Sequence, residues 1–285
     1  MSVKLELQNV SYYYGKGTAF EVKALDNVNF QIKSGTITGL IGHTGSGKST
    51  LAQLFNGLEK PTEGKVLLDG SDIWDKKYKG KRICFRVGLV MQYPEYQLFE
   101  ETVFADIAFG PRNMGLDEET IKQRVMDAID FVGLGADVLS QSPFDLSGGQ
   151  KRRVAIAGVM AMQPEMLVLD EPAAGLDPSG RAEIFSGIKR YRDDTGATVL
   201  IVSHSMEDMA EYCDDVIVMH RGKVLLAGPK TEIFADSQSL VKAGLDIPQI
   251  TRIMHILAQN GLAVNPAACT KEQALAEILS AFKHK

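Results

Sequence analysis

The sequence predicts an α/β fold with a largely parallel sheet, and two observations support this. Short apolar strands alternate with helical segments along most of the chain, which is the order that parallel sheets require. One of these strands, residues 36–41, runs into a glycine-rich loop and then into a helix with a regular apolar face. An antiparallel β portion is expected near the N-terminus, and a mostly helical insert is expected over about residues 102–165.

The bulk composition is that of an ordinary globular chain. The 285 residues are 45% hydrophobic and 24% charged, enough for one large domain or a domain with an appendage. A net charge of −5 argues against nucleic-acid binding through bulk electrostatics. The basic run from Lys76 to Arg82 is interpreted as a solvated surface segment, with a contact patch as the alternative. No stretch approaches the length of a membrane span, so a membrane role is expected to be played from the surface.

The first elements are predicted from periodicity. Apolar residues alternate with polar ones over residues 3–10 and 28–32, which indicates half-buried strands. The helix after the glycine-rich loop carries Leu51, Leu54, Phe55 and Leu58 on one face. Residues 65–68 and 87–91 are predicted as further strands.

Strands return after the insert. They are predicted at 166–170 and 198–203 with a helix between them, and 216–219 pairs with 223–227 as a hairpin. The tail carries two amphipathic helices, whose apolar stripes are Ile250, Ile253, Met254 and Leu257, then Leu275, Ile278, Leu279 and Phe282. These stripes either pack on the main domain or form part of an interface with a partner chain. The expected domains are residues 1–235, including the insert, and a helical extension, residues 236–285.

A P-loop follows the strand at 36–41. Its residues are Gly42, His43, Thr44, Gly45, Ser46, Gly47, Lys48, Ser49 and Thr50, and they match G-x-x-x-x-G-K-[ST] between a predicted strand and a predicted helix. The glycines let backbone N–H groups surround phosphate oxygens, and the helix N-terminus adds its dipole. Lys48 is expected to reach the β- and γ-phosphates, and the Ser49 hydroxyl is expected to coordinate Mg²⁺.

Two carboxylates end the apolar strand at 166–170. Beside a P-loop, an aspartate at the position of Asp170 holds the Mg²⁺ shell, and a second carboxylate such as Glu171 can deprotonate an attacking water. A solvated strand end before Pro172 is the structural alternative.

A second anion-binding segment lies about a hundred residues after the P-loop. Ser147 and Gln150 have the spacing of a capping box, so a capped helix start is the simpler interpretation. However, Gly148 and Gly149 cost helix stability, roughly 1 kcal/mol each relative to alanine, and they leave N–H donors open to close approach. One nucleotide has no obvious need for two such loops from one chain.

These motifs together resemble ABC-type ATPases. Leu146–Gln150 matches the LSGGQ signature, and the other motifs stand in family order over roughly residues 3–235. The resemblance implies that two ATPase subunits pair head to tail and that each ATP lies between one P-loop and the other chain's signature. It assigns Ser147, Gly148, Gly149 and Gln150 to the partner's nucleotide, with ATP and Mg²⁺ as cofactors.

The resemblance also assigns roles to single residues. Tyr14 resembles the residue that stacks on adenine, with Tyr12 or Tyr13 as alternatives. Gln92 resembles the glutamine that contacts Mg²⁺ and the attacking water, Glu171 the general base, and His204 the switch histidine at the γ-phosphate. Asp177 resembles the residue that links the two sites of the dimer.

Finer features resemble the energy-coupling factor branch and the related cobalt and nickel importers. Gln92–Phe99 matches its Q-x-P-x-x-Q-L-F segment, and 108–111, 174–178, 205–208 and 244–249 also match. His43-Thr44 resembles the second of the two paired ATPases of this branch. The resemblance implies a peripheral subunit at the cytoplasmic face of the membrane. Its implied partners are a related ATPase chain, a transmembrane coupling protein and a small integral-membrane protein that binds a vitamin or metal ion.

Two further hypotheses accompany this interpretation. A soluble ABC ATPase acting on DNA or ribosomes is the competing class, disfavoured by the net charge and by the single ATPase module. Within the transporter interpretation, Leu98-Phe99 is predicted to receive a helix of the membrane partner, with packing under the insert as the alternative.

Overall fold

Two sheets form the framework of the protein. The computed structural model describes residues 2–75 and 83–283. The strands in these ranges are β1 (Val3–Tyr14), β2 (Val22–Lys33), β3 (Ile37–Gly42), β4 (Glu63–Leu68), β5 (Ser71–Asp72), β6 (Val87–Val90), β7 (Met166–Asp170), β8 (Thr198–Val202), β9 (Asp215–His220) and β10 (Lys223–Pro229). One sheet has the order β2-β1-β4-β5 and is antiparallel; the other has the order β10-β9-β3-β8-β7-β6.

The six-stranded sheet is parallel except for its edge strand β10, which pairs antiparallel with β9. Its central strands β3, β7 and β8 are buried at every position, which explains why they read as continuous apolar runs. Leu167 and Leu169 point into the core on one face, while Met166 and Val168 point into the core on the other. Because all strands of this sheet except β10 run parallel, their carboxyl ends meet at one edge of the sheet.

Helices cover both faces. They are α1 (Lys48–Asn56), α2 (Ile83–Arg86), α3 (Val103–Asn113), α4 (Glu118–Phe131), α5 (Gly148–Met160), α6 (Pro178–Thr195), α7 (Met206–Tyr212), α8 (Lys230–Ala235), α9 (Ser237–Lys242), α10 (Gln249–Gln259) and α11 (Lys271–Lys283). One core cluster joins α1 to the two sheets, and a larger one joins the parallel sheet to α3–α9. No helix in the described ranges combines the length and the apolar character needed to cross a membrane.

The helix after the P-loop is shorter than its apolar pattern predicts. Gly57 has a φ of 81° and caps α1, so the helix ends at Asn56. Leu58, predicted on the buried face, lies beyond this end and is 60% exposed. The prediction was wrong at this position because periodicity does not register a glycine that ends the helix early.

The stripes of the tail divide between a buried and an exposed side. Met254 of α10 is fully buried in a small cluster with Ala268 and Ala274, whereas Ile253 is 48% exposed. On α11, Leu275, Leu279 and Phe282 are more than half exposed. The interpretation that both stripes pack entirely on the main domain is therefore wrong. Thr270 and Gln273 form a capping box at the start of α11, with hydrogen bonds in both directions.

The basic run from Lys76 to Arg82, predicted to be a surface segment, lies outside the described residues.

Candidate functional site

A cleft of about 370 Å³ opens at the carboxyl ends of the parallel strands. The P-loop, the end of β7, the second residue after β8 and the segment after β6 all reach it, because the sheet order places β3, β8, β7 and β6 side by side. Its lining residues are Tyr14, Val22, Lys23, Ala24, Thr44, Gly45, Gly47, Lys48, Ser49, Thr50, Gln92, Asp170, Glu171 and His204. A ligand pocket at this edge is the rule in open parallel sheets.

The P-loop backbone needs glycine at its two ends. Gly42 has a φ of 154°, and a Cβ there would lie 2.4 Å from the carbonyl oxygen of Met219. Gly47 has a φ of 102°, and a Cβ there would lie 2.6 Å from a methyl carbon of Leu25. Both positions exclude larger residues through conformation and space, which keeps the loop tightly turned into the N-terminus of α1.

Lys48 lies along the inside of this loop. Its Nζ donates to the carbonyl oxygens of Gly42, at 2.7 Å, and His43, at 2.9 Å. Burial lowers the pKa of this ammonium, while Asp170 and Glu171 act in the opposite direction. The cation is therefore held at the mouth of a loop that offers backbone N–H donors, as a phosphate site requires.

Ser49 and Asp170 converge from different elements. The Ser49 hydroxyl, at the start of α1, donates to Asp170 Oδ2 at 3.0 Å. Asp170 is the last residue of β7 and is 8% exposed, and burial raises the pKa of its carboxyl group. Together with the nearby amide of Gln92 they form an all-oxygen donor set, the kind that Mg²⁺ prefers.

Glu171 is held in an unusual backbone conformation at the centre of the cleft. Its φ of 53° is left-handed, and its N–H donates to the carbonyl oxygen of Val202 at 2.9 Å. Ser203 donates to Oε2 at 3.3 Å, whereas buried Oε1 accepts no hydrogen bond from the described part of the chain. Burial raises the pKa of this carboxyl group, and nearby His204 partly offsets the effect.

His204 and Gln92 approach from opposite sides of the cleft. His204 Nε2 lies 3.4 Å from Glu171 Oε1, outside hydrogen-bond geometry, and the ring is 57% exposed. Gln92 is the second residue after β6 and is exposed. Both are therefore free to turn toward a ligand.

The aromatic run before Gly15 separates into different environments. Tyr14 lines the cleft, is 42% exposed and shares a 3.0 Å hydrogen bond with Thr50 Oγ1. Tyr12 is buried and donates to Glu59, at 2.5 Å. Tyr13 lies beneath the ammonium groups of two lysines and is absent from the cleft lining. Tyr14 is the one residue of the three that lines the cleft.

The segment Leu146–Gln150 lies outside this cleft. Ser147 caps α5 through a complete capping box, since Gln150 N–H donates to Ser147 Oγ and Ser147 N–H donates to Gln150 Oε1. A Cβ added to Gly148 would meet no atom within 4 Å, so the helix N-terminus is open. Asp177 caps α6 through Gly180 N–H and is also exposed outside the cleft.

Two P-loop residues face away from the cleft. The His43 ring lies 2.7 Å, Nε2 to oxygen, from the carbonyl of Ala243 in the C-terminal extension. Ser46 is 3% exposed, and its hydroxyl has no partner within the described residues. Neither residue is among those that line the cleft, although both belong to the predicted ATP-binding loop.

The sequence and the fold both relate the protein to known ATPases. A model of the ABC transporter family matches residues 25–174. The energy-coupling factor transporter ATP-binding protein EcfA2 of Caldanaerobacter subterraneus subsp. tengcongensis is 52% identical, over 96% of each chain. The protein of the same name from Clostridium tetani is 51% identical, over 100% of this chain and 99% of its own.

The chain belongs to the energy-coupling factor branch of the ABC transporter ATP-binding proteins.

Solved structures agree with the assignment of this chain to the ABC ATPases. The structure of cbiO1 from Clostridium perfringens, part of the ABC transporter complex cbiONQ, is 39% identical with a TM-score of 0.75, covering 90% of this chain and all of its own. The ATP-binding cassette MJ0796, in a dimeric post-hydrolysis state bound to ADP and Pi, is 29% identical with a TM-score of 0.70. It covers 79% of this chain and 98% of its own.

Sequence reasoning missed several residues of this ABC ATPase's cleft. Val22, Lys23 and Ala24 of β2 line it, and Ser203 holds Glu171. The β2 residues come from the antiparallel sheet, so their approach depends on how the two sheets pack. Ser203 directly precedes His204, and this adjacency was the one feature of the sequence that could have pointed to Ser203.

Proposed function

We propose that this chain is the ATP-hydrolysing subunit of an energy-coupling factor importer and that it powers uptake of a vitamin or another micronutrient. The observation that carries the proposal is the meeting of the P-loop, Asp170, Glu171, Gln92 and His204 in one cleft. A role in a cobalt or nickel importer is the second candidate, supported by the likeness to cbiO1 of the cbiONQ complex.

The nucleotide is proposed to lie along the cleft from Tyr14 to the P-loop. The Tyr14 ring stacks on the base, where its exposed face is available. Backbone N–H groups of the P-loop and the N-terminus of α1 hold the phosphates, and Lys48 moves from its loop carbonyls to the β- and γ-phosphates. Such positioning and charge neutralisation constitute most of the catalysis of phosphoryl transfer.

Glu171 is proposed to accept the proton of the attacking water through Oε1. That oxygen is buried and unpartnered, and the raised pKa of the carboxyl group makes it a stronger base than an exposed glutamate. His204 contacts the γ-phosphate from the end of β8, and Gln92 orients the water. Ser49, Asp170 and Gln92 would hold Mg²⁺, which neutralises phosphate charge when bound.

We further propose that the working unit is a head-to-tail pair with a related ATPase chain. The open N-terminus of α5 is an anion-binding surface outside the chain's own cleft, so its Ser147, Gly148, Gly149 and Gln150 would bind the partner's ATP. Asp177, exposed at the start of α6, would link the two sites. Residues 1–235 would form the ATPase unit and residues 236–285 the extension.

The membrane partners are proposed to meet the segment that follows Gln92. Tyr93, Tyr96, Phe99 and Phe109 are all between 46% and 85% exposed there. We propose that a helix of a transmembrane coupling protein docks on this aromatic surface at the cytoplasmic face of the membrane. A small integral-membrane protein would then supply the substrate.

Substitution of the base tests the proposed chemistry. Glu171→Gln is expected to lower the turnover number by roughly 10²–10⁴-fold while ATP still binds, because an amide cannot accept the proton. Hydrolysis by the assembled complex and equilibrium ATP binding are the measurements. Near-normal turnover would remove Glu171 from this role.

Purification tests the assignment to transport. Affinity isolation from detergent-solubilised membranes is expected to recover the ATPase with integral-membrane subunits. Recovery with nucleic acid alone would instead support a soluble ABC ATPase.

A further inference from the structure

Arg152 is a buried charged residue to which the chemistry above gives no role. It lies on α5, two residues after Gln150, and its side chain is 4% exposed. Burying a guanidinium is costly unless its donors are paired on every side. The groups that pair with it come from two other functional segments.

The first partner is Glu95, in the 3₁₀ turn Pro94–Gln97 that follows Gln92. Arg152 Nε lies 3.1 Å from Glu95 Oε2, and a terminal nitrogen lies 3.3 Å from Oε1. This two-point pairing fixes the plane of the guanidinium as well as its position. The Tyr93 ring, with its centroid 6.0 Å from the guanidinium carbon, adds a weaker contact on the same side.

The second partner is the turn that follows β7. The other terminal nitrogen donates to the carbonyl oxygen of Ala174 and lies 3.5 Å from that of Glu171. Glu171 has a left-handed φ of 53°, a conformation that persists in a non-glycine residue only when the surroundings enforce it. The Arg152 guanidinium contacts the carbonyl oxygen of this residue, and the hydrogen bond to Val202 holds its N–H.

We propose that Arg152 is a positioning residue for ATP hydrolysis. It holds the backbone of Glu171 in the reactive conformation and ties it to the Gln92 segment and to the signature helix α5. The inference rests on the proposed function, since it takes Glu171 as the base. A displacement of the aromatic surface by a membrane partner would move Glu95, then the guanidinium, and then the Ala174 carbonyl and the turn that carries Glu171.

The test compares Arg152→Gln with Arg152→Lys in the full-length chain within its assembled complex. Arg152→Gln is expected to lower kcat by about 10- to 100-fold, the cost of misplacing a reacting group by about an ångström. The KM for ATP is expected to stay unchanged, because Arg152 does not line the cleft. Arg152→Lys keeps the charge but cannot hold carboxylate and carbonyl together, so an intermediate kcat is expected.

Glu95→Gln, alone and combined with Arg152→Gln, gives a pattern of kcat values that a general loss of stability would not produce. Alone, it is expected to lower kcat less than Arg152→Gln, because the bond to Ala174 remains. Combined with Arg152→Gln, it is expected to add nothing further, since Glu95 acts through Arg152. Multiplying effects in the double variant would overturn the proposed linkage.

Two comparisons complete the design. Arg190→Gln removes an arginine whose partner Asp130 is 74% exposed, and it is expected to leave kcat unchanged. Wild-type kcat in both Arg152 variants, or a parallel loss of ATP affinity, would overturn the proposal. If Arg152→Gln does not fold, Arg152→Lys and Glu95→Gln decide the outcome. Glu171→Gln in the same assay separates the two ideas, because near-normal turnover by that variant would remove Glu171 as the base, whatever the Arg152 variants show.

Discussion

Burial governs the chemistry of individual residues in the cleft. The carboxyl groups of Asp170 and Glu171 and the ammonium of Lys48 are all partly removed from water. Burial raises the pKa of both acids and lowers that of Lys48, so each is shifted toward its neutral form. Bound phosphate, cation and water would restore the lost solvation, which suits a site that changes ligands in every cycle.

Tyr14 is the residue on which adenine recognition should depend. Tyr14→Ala is expected to raise the KM for ATP by about 10-fold with little change in kcat, since aromatic stacking on a base contributes about 1–3 kcal/mol. Tyr14→Phe should keep the affinity, because the ring remains although the hydrogen bond to Thr50 is lost. Steady-state kinetics measure both.

Tyr12→Phe is the matched control for this prediction. It removes a hydroxyl whose part-buried bond to Glu59 lies outside the cleft, so it should affect stability and leave the KM unchanged. A larger increase in KM for Tyr12→Phe than for Tyr14→Ala would contradict the assignment.

At the scale of elements, the segment after β6 combines two environments over a few residues. Pro94 and Leu98 are buried, while Tyr96 and Phe99 face solvent. Phe99 packs edge-on against Phe109 of α3, with ring centroids 4.9 Å apart, yet it stays 57% exposed. The alternative that Phe99 simply packs under the insert is therefore disfavoured, and Leu98 takes that structural role.

Alanine substitutions should separate the two roles. Leu98→Ala is expected to cost about 2–5 kcal/mol of folding free energy, because it opens a cavity at a 7%-exposed site. Phe99→Ala should cost far less and should reduce transport while hydrolysis continues. Denaturant unfolding and transport by the reconstituted complex are the measurements. A comparable loss of stability in both variants would argue against docking at Phe99.

At the scale of the whole molecule, a charge cluster connects the two sheets. Glu165, before β7, pairs with Lys4 of β1 at 2.5 Å and with Arg86 of α2 at 2.6 Å. Both cations also pair with Asp69, which follows β4. The Arg86 guanidinium, followed by Lys4, lowers the pKa of the Glu165 carboxyl group to about 2.

The depressed pKa predicts a direction for the pH dependence of stability. Glu165 ionises near 4.5 when unfolded and near 2 when folded, so its contribution is complete above pH 4.5 and is lost as pH falls toward 2. Wild type should therefore lose about 1 kcal/mol more than Glu165→Gln between neutral pH and about pH 3.5, allowing for solvent screening. Urea unfolding at both pH values tests this. Equal losses in the two proteins would contradict the assignment.

The C-terminal extension leaves an apolar surface uncovered. Leu275, Leu279 and Phe282 of α11, with Ile253 and Ile256 of α10, are between 48% and 62% exposed. Such a surface favours the second interpretation of the stripes, an interface with a partner chain. Leu279→Glu should weaken association with the paired ATPase without lowering the melting temperature. Analytical ultracentrifugation and thermal unfolding measure the two effects. Unchanged association would argue against this interface.

The sequence by itself determined the fold class, the order of the elements and the P-loop. These depend on local periodicity and on spacings within one strand, loop or helix. It also pointed to Asp170 and Glu171, because strand ends can be read from apolar runs that stop at polar residues, whereas His204 was assigned only through the family resemblance. The family resemblance added the signature and the Gln92 segment, which residue patterns alone would leave as a capped helix and a linker.

Tertiary structure decided what lies between distant segments. It distinguished Tyr14 from Tyr12, turned His43 toward Ala243 and exposed much of the tail's apolar surface. It also placed the Arg152 guanidinium between Glu95 and Ala174. Periodicity specifies which face of an element is apolar, but it carries no information about which distant segment covers that face. Burial, pairing and pKa depend on that packing, and so does the link between the aromatic surface and Glu171.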